Sequence, residues 1–140
     1  MTQIDGTAYP HDGLGAVAFW AGLSLILMLV LTIRVSMQRR AHRVSIGDGG
    51  HPGLLLAGRT FGNATEYLPI GLVALTLIAL VGYATPVVHA LGAALFLGRV
   101  AHAVGMNSQR QPALARMLGM ILTYLVFLAA AVLLIVKPFQ

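Results

Sequence analysis

Long uncharged stretches alternate with short clusters of arginine along this chain. Gly13 to Ile33 holds no charged residue. At about 1.5 Å rise per residue, a helix of that length crosses a hydrocarbon core of roughly 30 Å. The flank before it, Met1 to Asp5, has no basic residue, so the run reads as an anchor rather than a cleaved signal. Tyr67 to Gly98 is also uncharged and is too long for one span. Gly82, Tyr83, Ala84, Thr85 and Pro86 supply turn chemistry in its middle and divide it in two. Met117 to Val136 makes a further span. It opens near Pro112, because proline suits a first helical turn, and closes at Lys137-Pro138. The pattern predicts helices over about 13–37, 55–82, 87–106 and 112–136. This is one all-α membrane domain over 1–140, a four-transmembrane-helix bundle without an internal repeat.

Composition strengthens that reading. Of 140 residues, 58% are hydrophobic and only 9% charged, and the mean hydropathy is +0.84. Soluble domains carry about 25% charged residues, so disorder and a water-soluble globule are both excluded. The formal net charge is +5. Its bases flank apolar runs, which fits topology control and not nucleic-acid binding. Arg34, Arg39, Arg40, Arg43 and Arg59 lie in or lead into the helix 1–2 connection, and Arg99, Arg110 and Arg116 do the same for helices 3–4. The positive-inside rule then puts both connections in the cytoplasm and both termini outside. Cysteine is absent, which removes disulfides, thiolate metal sites and a cysteine nucleophile on the protein itself.

Polar groups inside spans are costly and need an explanation. Arg59, Asn63 and Glu66 follow i, i+4, i+7 spacing and share one face of helix 2, with Tyr67 beside them. Arg99 and His102 share a face of helix 3. Counting from the cytoplasmic side, Glu66 and Arg99 both fall about 10 Å deep, with Asn63 and His102 also level with each other. Arg116 sits near the same surface. A plain structural reading makes Glu66 and Arg99 an ion pair that fixes helix packing. The further cations at this level favour a pocket for a ligand carrying carboxylates and an amine, because arginine forks bind carboxylates bidentately.

Other candidates are weaker. His89 and His102 lie on one helix, a poor arrangement for haem. Asp48-Gly49-Gly50-His51 reads as a turn without enough ligands for a metal. His89 reads as an interface or capping residue, and Trp20 as packed or lipid-facing. Gly92 and Gly98 read as close-packing positions. A small four-helix cation exporter would place its key carboxylate in helix 1, where the span has none.

Together these segments resemble the MAPEG family, the membrane-associated proteins of eicosanoid and glutathione metabolism. They are Arg39-Arg40-Ala41-His42-Arg43-Val44-Ser45, Gly47-Asp48-Gly49-Gly50, Arg59-x3-Asn63-x2-Glu66-Tyr67-x-Pro69, Leu91-Gly92, Gly98-Arg99-x2-His102-Ala103-x-Gly105 and Arg116-x2-Gly119. The glycine-rich loop is similar to the bacterial branch. The resemblance implies an inner-membrane homotrimer holding glutathione between neighbouring subunits, with membrane lipid around it and a lipophilic electrophile as second substrate. The implied activity is that of a transferase or peroxidase, with glutathione as co-substrate. By position, Arg39, Arg59, Asn63, Glu66, Tyr67, Arg99 and His102 would bind glutathione. Arg116 would stabilise its thiolate, with Arg110 the rival. Val104 and Met106 stand where a tyrosine is often found, which leaves open a non-catalytic or differently liganded member.

Overall fold

The computed structural model describes residues 11–106 and 114–137. It contains α1 (His11–His42), α2 (Pro52–Leu80), α3 (Thr85–Met106) and α4 (Leu114–Val136). All four are long and apolar enough to cross a membrane. The expected start of helix 4 at 112 lies outside the described residues, as does Arg110. α1 packs on α2 and α3, and α4 packs on α3 and α2. Leu68, Leu75, Ile78, Val88, Leu95 and Val126 form the shared apolar core.

Two boundaries differ from the sequence expectation. α1 runs on to His42 because Gln38, Arg39, Arg40 and Ala41 are acceptable helix formers, and cations suit a helix C-terminus. It ends when Arg43 enters the left-handed region at φ 56°. The Val44 N–H then reaches back to the Arg39 carbonyl (3.0 Å), and the Arg43 N–H to Arg40 (3.3 Å). This closes the last turn as a Schellman-type cap, with arginine where glycine is usual. α2 starts early because Pro52 occupies its first turn, where the missing N–H costs nothing.

The α1–α2 loop is built tightly. The Gly50 N–H donates to Asp48 Oδ1 (2.9 Å). Gly49 has φ +57° and lies so close to Val44 that a Cβ there would sit 2.7 Å from Cγ2. The rings of His42 and His51 stack across the loop with centroids 4.0 Å apart.

Glycine sets the closest helix approach. A Cβ on Gly105 would overlap the backbone nitrogen of Arg116, and one on Gly119 would lie 2.6 Å from the His102 nitrogen. α3 and α4 therefore touch backbone to backbone, as small residues permit in membranes. On the other side of α3, Gly92 seats the Trp20 ring. Trp20 is thus packed, and its indole N–H donates to Nδ1 of His89 (3.1 Å). His89 is thereby tied to α1.

Candidate functional site

The glycine contacts of α3 with α4 bring the start of α4 over the N-terminal half of α2. Between them lies a cavity of about 500 Å³, lined by Gly58, Arg59, Gly62, Asn63 and Glu66 from α2. His102 and Met106 from α3 and Arg116 from α4 complete its wall. The i, i+4, i+7 stripe of α2 does face one space, and His102 and Arg116 do meet it there.

Arg99 stands behind this wall rather than in it. It is 2% exposed. Nη1 donates to Asn63 Oδ1 at 2.7 Å, and Nη2 donates to the Gly119 carbonyl at 3.2 Å and contacts Met120 Sδ at 3.2 Å. Its guanidinium carbon lies 4.9 Å from the Tyr67 ring centroid, within cation–π range. Similar depth did not make Glu66 its partner: among the described residues no ion pair joins Glu66 to Arg99. Glu66 lines the open cavity instead, where it has no ion-pair partner among the described residues. Buried Arg99 is held by neutral acceptors and an aromatic face, so it orients Asn63 and Tyr67 from behind.

Arg39 also departs from its expected place. Its Nη1 donates to the carbonyls of Ser45 (3.1 Å) and Gly47 (3.1 Å), bracing the glycine loop. It lines a neighbouring recess with Arg59, Asp48 and Gly58. Arg59 borders both spaces.

Gly58, Gly62 and Met106 are wall residues that the polar pattern did not single out as site residues. The two glycines follow i, i+4 spacing toward Glu66, and a Cβ on either would meet nothing within 4 Å. They keep the floor of the cavity low. That spacing is the signal by which they were legible. Met106 brings its sulfur within 4.0 Å of Arg116 Nη1.

Fold and site together define a four-span membrane protein with a basic, single-carboxylate pocket at one membrane face. The MAPEG family model matches residues 17–136, and the chain belongs to the MAPEG family. It is 38% identical over 90 residues to Inner membrane protein YecN of Escherichia coli K12. That match covers 64% of this chain and 69% of the relative. YecN of Escherichia coli O6:H1 matches to the same extent.

Proposed function

We propose that the protein is a glutathione-dependent transferase or peroxidase of the bacterial inner membrane, acting on lipophilic electrophiles. The observation that carries this reading is the composition of the α2–α3–α4 cavity: Arg59, His102 and Arg116 surround a single carboxylate, Glu66. Glutathione carries two carboxylates and one ammonium, the complement of that set. Glu66 suits the ammonium, and Arg59 suits a carboxylate as a bidentate fork. Asn63, oriented by Arg99, offers its amide. Arg116 is the thiolate partner, since an adjacent cation favours the ionised thiol. The thiol supplies the nucleophile, and the protein needs no cysteine of its own. We further propose a homotrimer, with neighbours completing the site.

A second reading has one specific observation behind it. Met106 places a thioether beside Arg116, and Val104 and Met106 are the two positions where the resemblance leads one to expect a phenol, so a ligand other than glutathione would fit a member that performs no thiol chemistry. Titrating the purified protein with glutathione separates the two. The transferase reading expects saturable binding, thiolate absorbance at neutral pH, and three chains per particle in native mass spectrometry. Binding without thiolate absorbance leaves a member that holds glutathione without activating it, and no binding favours the reading with a different ligand.

Orientation is open to a separate test. The arginine distribution supports a cytoplasmic position for the α1–α2 and α3–α4 connections. A reporter fused after the last residue is expected to be active only outside the cytoplasm. Cytoplasmic activity would turn the cavity away from the glutathione pool.

A further inference from the structure

At the end of the bundle away from the cavity, α1 is joined to α3 by the bond from Trp20 Nε1–H to His89 Nδ1 (3.1 Å). Among the described residues it is the one side-chain hydrogen bond from α1 to another helix. The indole is held in place on three sides. A Cβ on Gly92 would lie 2.3 Å from Trp20 Cδ1, so the ring rests directly on the α3 backbone. Phe19 packs edge-on with centroids 4.9 Å apart, and Phe96 lies at 6.2 Å. The indole N–H therefore keeps its aim at His89.

The bond depends on the protonation state of one ring. Indole only donates, so Nδ1 must keep its lone pair, and the proton of the neutral imidazole sits on Nε2. A second proton makes both ring nitrogens donors. Two N–H groups would then face each other across the present 3.1 Å, and attraction becomes repulsion. His89 is exposed and four residues into α3, about 6 Å from the helix start. A proton reaches it from the adjoining aqueous side, which is the outer side in the orientation proposed above.

Other charges near this end are engaged or distant. Lys137 at the end of α4 has its Nζ 5.2 Å from the Tyr83 ring centroid. The Tyr83 hydroxyl, just past α2, donates to the Leu133 carbonyl (2.8 Å). Along α3 the next titratable side chains are Arg99 and His102, about 15 Å or more further in. On α1 the run from Gly13 to Ile33 is uncharged. The side chains of His11 and Asp12 lie outside the described residues.

We propose that the Trp20–His89 pair is a proton-operated latch: the neutral imidazole holds the outer half of α1 on α3, and protonation releases it. The latch contributes stability while the ring is neutral and loses it as pH falls through the range where histidine ordinarily takes up its proton, near 6.5. Ala16, Val17 and Ser24 are the other buried anchors of α1 in this half, so release loosens α1 and leaves the α2–α3–α4 cavity standing. The latch does not depend on the glutathione reading. The side from which the proton arrives rests on the proposed orientation.

Trp20 is the chain's single tryptophan, so nitrogen-15 labelling yields one indole N–H signal. The full chain in nanodiscs is compared at pH 8 and pH 4.5, without glutathione. At pH 8 a scalar coupling between Trp20 Nε1 and His89 Nδ1 is expected across the hydrogen bond, together with a nuclear Overhauser contact from the indole ring to the Gly92 Hα. At pH 4.5 the coupling should vanish and the Gly92 contact weaken, with the ratio of latched to released protein falling at least about fivefold, the worth of one hydrogen bond. His89→Gln offers an amide oxygen that accepts at either pH, so its Gly92 contact should be the same at both. Absence of the coupling at pH 8 overturns the proposal. So does a wild-type Gly92 contact of equal strength at both pH values, the result expected if the charged ring settles against the indole face. A Gln variant that loses the contact in acid as the wild type does assigns the effect to another group and also overturns it. If the Gln variant does not fold, the two wild-type measurements decide.

Discussion

Arg116→Ala is expected to raise the pKa of bound glutathione by about two units and to lower kcat/KM about 100-fold. A free thiol titrates near 8.5, and only the thiolate attacks an electrophile. A downward shift of about two units requires roughly 2.7 kcal/mol of preferential thiolate stabilisation, which a guanidinium in a partly dry pocket can supply. Arg116 is placed for this role, because Gly105 lets its backbone lie directly on α3 and its side chain lines the cavity. The sign follows from the charge. Removing the cation destabilises the anion, so less thiolate is present at neutral pH and the absorbance appears only at higher pH. Binding should hold nearly unchanged, since the ligand's carboxylates and ammonium are met by other groups. The check is thiolate absorbance against pH for wild type, Arg116→Ala and Arg110→Ala. An Arg116 variant that titrates like wild type, with an upward shift in the Arg110 variant, transfers the role to Arg110.

The second large effect separates two residues that sequence depth had paired. Glu66→Gln is expected to weaken glutathione binding about 10- to 100-fold, the range of one charge-assisted hydrogen bond of about 1.5–3 kcal/mol. It should leave the thermal melting of the detergent-solubilised protein in place. Had Glu66 been the counter-ion of Arg99, its loss would have stranded a buried cation at a cost of about 3–5 kcal/mol. The structure removes that cost, because Arg99 is held by Asn63 and the Gly119 carbonyl. Arg99→Leu should behave oppositely and lower stability by about 1–3 kcal/mol, since Asn63 loses a buried partner. The Gly119 carbonyl keeps the Thr123 hydroxyl as donor (2.9 Å), which limits the damage. Melting and ligand titration of both variants provide the measurement. A Glu66→Gln protein that melts early would restore the ion pair.

The spans were legible in the sequence because a bilayer imposes a length and a polarity on whatever crosses it. Uncharged runs and the Gly82–Pro86 turn were sufficient to give four helices in order. The same solvent makes Arg59, Asn63, Glu66, Arg99 and His102 conspicuous, since hydrocarbon tolerates polar groups only where something uses them. Helical spacing was enough to set Arg59, Asn63 and Glu66 on one face.

Partner choice was not legible. Depth along two helices is a one-dimensional count, whereas a hydrogen bond depends on how the helices rotate and how closely they approach. Gly98, Gly105 and Gly119 bring α3 onto α4 until the Gly119 carbonyl itself reaches Arg99, and Asn63 then meets the guanidinium before Glu66 can. Arg39 was drawn to the Ser45 and Gly47 carbonyls by a loop whose shape depends on four positive φ angles, at Arg43, Gly47, Gly49 and Gly50. Sequence set which groups had to be satisfied inside the membrane; tertiary packing chose the partners, because a hydrogen bond is fixed by distance and direction in three dimensions.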